Sequence, residues 1–372
     1  MSIHPTGTTS GPTPHAHPAV LAPGTGWAEE YLGGTQEAEE RMIPGWASRI
    51  VAAQHRLAAR NGRIMRALHA KAIAAPSATF RILSDVDPGQ LAAAGFASGL
   101  PPELRSGVFT PGGFYSDVRV RFSNAAGLVG SDETKDLRGV AIRICMPERR
   151  VQDLLMTNAP ASFARNPEQQ VAVVEAAADR RTKLALFRRF GLFETLRILR
   201  ATKLEVPRVD TLAAQQFYGR TPFRMGPYAL KFKLEPKVAP TRMGPVKRTS
   251  RFLRDDLRIR LACDELGYHF RVQFFASKHE TPIEDATVEW KTPFVTLGDL
   301  TLLKQDLDLP AGRALEAEVD ALAFSPANQN GLVGIGSLNR ARAAIYALDQ
   351  HERRADTETR CPVGAAAVFS AP

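Results

Sequence analysis

Short apolar segments at 79–83, 115–123, 139–146, 228–234, 257–263, 268–276 and 287–291 punctuate the middle of the chain, and several alternate. The runs Leu257-Arg258-Ile259-Arg260-Leu261 and His269-Phe270-Arg271-Val272-Gln273-Phe274 have a period of two. That period sends successive side chains to opposite faces, so these segments predict half-buried β-strands. Strands spread over roughly 200 residues, with one helical insertion at about 167–204, fit an antiparallel sheet or barrel better than alternating βαβ units. The predicted fold class is therefore α+β with a large antiparallel β core.

Residues 47–74 read as helical, with Ile50, Val51, His55, Leu57, Ala58, Ile64, Met65 and Leu68 at helix-like intervals and an interruption at Gly62. Residues 205–250, with several Pro and Gly, read as a connection wrapping over a surface. Residues 1–25 are rich in Pro, Gly, Thr and His and lack an apolar signal core. They predict a loose tail in which His4, His15 and His17 are solvated. Residues 356–372, Ala-rich and aperiodic, predict a second tail. The 372 residues thus divide into one domain at 26–355 and two tails.

No apolar run approaches the ~18 residues of a membrane-spanning helix, so no transmembrane segment is expected. Three scattered cysteines, Cys145, Cys263 and Cys361, predict neither a disulfide framework nor a CxxC metal site, and with no targeting segment they fit a cytoplasmic protein. The net charge of +9 raises the question of nucleic acid, but the basic residues are dispersed and predict no such partner. The one local excess lies at 180–208, where Arg188, Arg189, Arg197, Arg200 and Lys203 alternate with Leu184, Leu186, Phe187, Phe190, Leu192, Phe193, Leu196 and Ile198. This pattern suits a helix packed by its apolar face with Arg stems on the rim; it also suits a basic amphipathic surface for a membrane or a lipid-like acidic substrate.

Gly334-Ile335-Gly336 mimics the start of a dinucleotide fingerprint, but Asn339 holds the third glycine position and no βαβ unit follows. HExxH, GxSxG and GxxxxGK[ST] motifs are absent. Polar residues in apolar surroundings remain: His69 after Arg66, Ser123 after Arg121-Phe122, Asn158 before Ala159-Pro160, and Tyr346 four residues after Arg342. Singly, each has an ordinary reading: a boundary histidine, a turn-forming asparagine, an i,i+4 surface pair.

Their order and flanks say more. Arg66-Ala67-Leu68-His69-Ala70-Lys71, Val120-Arg121-Phe122-Ser123, Asp136-Leu137-Arg138-Gly139-Val140-Ala141, Asp153-Leu154, Asn158-Ala159-Pro160 and Phe163 resemble, in sequence and spacing, the distal haem side of the catalase superfamily. Tyr218-Gly219 with Phe223 and Leu230-Lys231-Phe232 resemble its barrel segment, and Arg342-Ala343-Ala344-Ile345-Tyr346 its proximal Arg-x-x-x-Tyr. The resemblance covers about residues 47–353 and is nearest to the small catalase-related haem proteins.

The resemblance implies an antiparallel barrel, an N-terminal helix leading to a distal histidine, and a late helix carrying the iron ligand. The implied cofactor is haem (heme b, ferric iron) held by Tyr346, with Arg342 one helical turn away. His69 would act as general acid and base, Asn158 would hydrogen-bond the peroxide, and Ser123 would orient His69. Arg66, Arg121 and Arg353 would meet the haem propionates, and Phe163 would line the distal approach. Leu68 stands where full catalases carry valine, a departure that favours organic hydroperoxides over fast hydrogen peroxide dismutation, and no Asp-Thr follows Tyr346, which argues further against full catalase turnover. The implied function is a haem peroxidase with weak catalase activity, acting on a small-molecule peroxide or lipid hydroperoxide and assembling as a homo-oligomer. Its alternatives are a fatty-acid hydroperoxide enzyme of the allene oxide synthase type and a haem-binding protein with little turnover.

Overall fold

A computed structural model describes residues 22–179, 182–204, 206–240 and 248–355. The expected tails fall outside these residues except for 22–25, and there Gly24 already hydrogen-bonds to the backbones of Phe275 and Ala229. Eight strands close into an antiparallel barrel: β2 (Ser77–Ile82), β3 (Phe114–Asn124), β4 (Arg138–Cys145), β5 (Val151–Thr157), β6 (Phe217–Tyr218), β8 (Tyr228–Pro236), β9 (Leu266–Phe274) and β10 (Phe294–Leu302). The ring runs β8-β6-β5-β4-β3-β2-β10-β9 and closes through β8–β9 pairing from Leu230↔Phe274 to Pro236↔Tyr268. Three short strands flank it, β1 (Ala72–Ala74) on β3, β7 (Phe223–Met225) on β8, and β11 (Val333–Gly334) on β7.

An eight-stranded barrel has an interior that side chains just fill. Here Phe80, Phe109, Phe122, Phe217, Phe232 and Phe270 fill it, with Phe270 ringed by Phe80 at 5.5 Å and Phe232 at 5.6 Å. The alternation along β3 sends Val118, Val120 and Phe122 into that core and Arg119, Arg121 and Ser123 to the outer face. Function therefore has to be sought outside the barrel, beneath the helices that cover β3–β5.

Seven α-helices lie among the described residues: α1 (Gln36–Asn61), α2 (Pro88–Ala93), α3 (Pro167–Ala178), α4 (Thr182–Leu199), α5 (Phe252–Cys263), α6 (Pro310–Ala321) and α7 (Ser337–Glu352). None is long and apolar enough to cross a membrane. Helix α1 is earlier and shorter than expected. Thr35 caps it by accepting from the Ala38 N–H, and Gly62, at φ 77°, ends it in the left-handed conformation that glycine alone adopts without penalty. Residues 62–71 are consequently a connecting turn. Trp46, Ile50, Ala53 and Leu57 of α1 pack on Val171 and Val174 of α3 and Ala341 of α7.

Three further expectations change. The 257–263 segment is helix, not strand: Leu253, Leu257 and Leu261 recur every fourth residue and are buried. Residues 287–291 form no strand, and the expected wrapping connection at 205–250 contributes β6 and β7 to the sheet beside the strand already expected there, β8. Cys263 is free and exposed.

Candidate functional site

His69 sits in the turn after α1 at φ 58°, a conformation that costs a non-glycine residue about 1–3 kcal/mol and persists only where the surroundings impose it. They do so on three sides. The His69 N–H donates to the Ala125 carbonyl at 2.9 Å, the Ala67 N–H donates to Asp349 Oδ1 at 2.8 Å, and the ring Nδ1 lies 3.0 Å from Ser123 Oγ. Burial pushes the imidazole down to about 3, and the positive charges of Arg121, Arg220, Arg66 and Arg342 add to the effect. The ring is therefore neutral at ordinary pH.

Gly139 on β4 makes room for it. A Cβ there would lie 2.6 Å from His69 Cε1 and Nδ1 and 2.9 Å from Ser123 Oγ. Gly139→Ala is expected to displace the imidazole and destabilise the fold by about 1–3 kcal/mol, read as a lower thermal midpoint. A midpoint equal to that of the parent would show that the ring has space to retreat.

Helix α7 supplies a phenol to the same cavity. Its fourfold spacing places Arg342 over the Tyr346 ring, 5.4 Å from the centroid, with Nη2 3.4 Å from the phenol oxygen. Arg342 is held in turn, donating through Nη1 to Thr221 Oγ1 at 3.1 Å and Asn339 Oδ1 at 3.0 Å. Asp349, one turn beyond Tyr346, is the carboxylate that ties α7 to the His69 turn.

A cluster of arginines stands at the cavity. Arg66 Nη1 meets Asp320 Oδ1 at 3.1 Å, Arg121 Nη2 meets the same oxygen at 2.9 Å, and Arg353 Nη2 donates to the Leu322 carbonyl at 2.9 Å. Burial and the Arg66 charge push Arg121 down to about 9 and Arg353 down to about 10. Burial opposes ionisation of Asp320, but Arg121 and Arg66 hold its carboxyl below the usual range. Arg220, pushed down to about 10 by burial and by Arg342, leaves its Nη1 buried without a partner.

The resulting cavity has a volume of about 190 Å³ and is walled mainly by apolar groups, including Val140, Leu155, Met156, Phe324 and Ile345. It brings together seven residues singled out in the sequence: Arg66, His69, Arg121, Ser123, Arg342, Tyr346 and Arg353. Two others lie apart. Asn158 is not among the lining residues; its Oδ1 accepts from the Arg138 N–H at 2.7 Å and one Nδ2–H donates to Gln215 Oε1 at 3.1 Å. Phe163 packs with Ala172, Ala176, Leu186 and Ile198 beneath α4. Sequence reasoning missed Arg220, Asp320 and Asp349, which belong to no local motif.

No family model and no curated protein matches the chain by sequence. Among solved structures, a fungal catalase superposes with a TM-score of 0.57 at 16% identity, covering 78% of this chain and 59% of that one. Catalase A from Saccharomyces cerevisiae superposes with a TM-score of 0.55 at 14% identity, covering 78% and 61% respectively. The chain has the catalase-like fold. It spans about three-fifths of the length of these two catalases. Within the catalase-like fold, the cavity lies against the outer face of β3–β5 and is completed by α7 and the turn after α1.

Proposed function

We propose that this cavity holds a ferric haem b with Tyr346 as the iron ligand and that the protein cleaves peroxide O–O bonds as a peroxidase. The observation that carries this reading is that His69 and Tyr346 line one apolar cavity rimmed by arginines. The donor set fits the group. A flat, largely apolar dicarboxylate complements apolar walls with excess positive charge, and the partnerless Arg220 Nη1 and the Arg353 Nε without a hydrogen bond leave donors to spare. A phenol oxygen is a ligand type that ferric haem iron accepts.

When bound, haem supplies the two-electron redox chemistry that a peroxide bond requires. The chain's own residues do the rest. Arg66, Arg121 and Arg353 would hold the propionates. Arg342 places a positive charge beside the Tyr346 oxygen. His69, 3.0 Å from Ser123 Oγ through Nδ1, would in the tautomer that donates to that oxygen present an unprotonated Nε2 to accept the hydroperoxide proton and return it to the departing oxygen. Leu68, which lines the cavity and is 36% exposed, offers apolar contact at its edge and favours an organic hydroperoxide.

Titration of the purified full chain with hemin, followed by visible absorption, tests the cofactor. A saturating one-to-one complex with a shifted Soret band is expected; a spectrum equal to that of free hemin would overturn the reading. Addition of hydrogen peroxide or an organic hydroperoxide with a reducing dye then separates an enzyme from a haem carrier.

A further inference from the structure

Helix α4 exposes an apolar stripe that its packing does not explain. Of the twelve exposed large hydrophobic residues among the described ones, five lie on this helix: Leu184, Phe187, Leu192, Phe193 and Leu196. Phe193 is 87% exposed and the others 49–55%. The inner face is already satisfied, because Leu186 and Ile198 are buried against Ala172 and Ala176 of α3. The alternative of a helix simply packed by its apolar face therefore accounts for only one side of it.

Spacing and charge indicate what the outer side meets. Gly191, at φ 75°, breaks α4 into two segments. Leu184 and Phe187 stand three apart on the first, Leu192 and Leu196 four apart on the second, and Phe193 three before Leu196, so each segment offers a coherent apolar face. Residues 182–204 contain six basic residues and one acid, Glu194. That acid is already engaged by Arg197 and Arg165. Arg189 and Arg197 are tied to carboxylates, whereas Arg188 is exposed and has no ion-pair partner among the described residues.

We propose that this face docks the protein on an anionic lipid bilayer surface. An exposed Phe/Leu stripe flanked by arginines is the pattern of a helix lying in the membrane interface, where apolar side chains enter the acyl boundary and cations meet the headgroups. A second copy of the chain is a poorer occupant, since a two-fold contact through this face would bring the unpaired Arg188 of each copy into one interface. The docking does not rest on the haem assignment, and its test is independent of haem content.

Co-sedimentation of the full chain with vesicles of phosphatidylglycerol and phosphatidylcholine, against phosphatidylcholine alone, provides that test. Binding to the anionic vesicles is expected, and it should weaken in high salt, which shortens the range of charge attraction. Phe193→Ser combined with Leu196→Ser should lower the partition coefficient about tenfold or more. Arg188→Glu should weaken binding to anionic vesicles, and Val238→Ser, an exposed control outside α4, should leave it unchanged. The proposal is overturned if the parent chain does not bind anionic vesicles, if the α4 variants bind like the parent, or if sedimentation velocity shows a dimer that the α4 variants dissolve.

Discussion

Tyr346→Phe is expected to abolish stable hemin binding, lowering affinity by more than about a hundredfold and changing the absorption spectrum of whatever complex remains. Groups that merely orient a metal ligand are commonly worth about 10–100-fold in metal affinity, so removing the ligating oxygen must cost more than that range. Phenylalanine preserves the ring's packing and its place beside the Arg342 guanidinium, 5.4 Å away in the parent, so the loss isolates the oxygen. Arg342→Gln should fall within the 10–100-fold range, roughly, because it keeps the phenol and removes only its neighbouring charge. Equilibrium titration and visible spectra on both variants check this. A Tyr346→Phe chain that binds hemin with parental affinity and spectrum would remove the phenol from the site.

Where the fold was misread in sequence, packing overrode a local pattern. Leu257-Arg258-Ile259-Arg260-Leu261 alternates perfectly across five residues, yet Leu253, Leu257 and Leu261 carry a period of four across a slightly wider window, and that face is the buried one. The two charges that look like a strand's wet face are ion-pair partners instead: Arg258 reaches Asp308, and Arg260 reaches Asp256 one turn before it. Strand β5 escaped notice for the converse reason. Its residues Val151–Thr157 are covered on both faces, so no alternation survives. Gln152 and Asp153 are tolerated there because Gln152 accepts from the Asn330 and Leu332 N–H groups and Asp153 pairs with Arg143 at 2.8 Å.

The site was legible where a short motif carried it and opaque where the fold assembled it. His69, Ser123 and Tyr346 stand in recognisable flanks, and the cavity gathers them. Asp320 is one of several acids along α6, and only the passage of α6 beside Arg66 and Arg121 distinguishes it from Glu316 and Glu318. Arg220 gains interest solely from its buried, partnerless Nη1. Asn158 differs again: the local pattern singled it out, and only the fold shows that Arg138 and Gln215, distant in sequence, hold its amide in place.

His69→Ala should lower peroxide consumption per bound haem by about 10²–10⁴, the usual range for a positioned general acid–base group. Hemin affinity should change far less, because the phenol side is untouched. The pH dependence distinguishes this role from a merely structural one. With its folded-state value near 3, His69 remains the neutral base from mildly acidic to alkaline pH, and its contribution disappears only as pH falls through that value. The ordinary imidazole value is about 6.5, so between roughly pH 3 and 6.5 the unfolded chain binds a proton that the folded one refuses. Stability therefore declines across that window as pH falls, while the alanine variant lacks this component of the decline. Stopped-flow peroxide consumption and thermal midpoints from pH 4 to 8, on parent and variant, measure both effects. Unchanged turnover per haem would displace His69 from the mechanism, and identical stability profiles would show that its imidazole takes up a proton as readily in the folded chain as in the unfolded one.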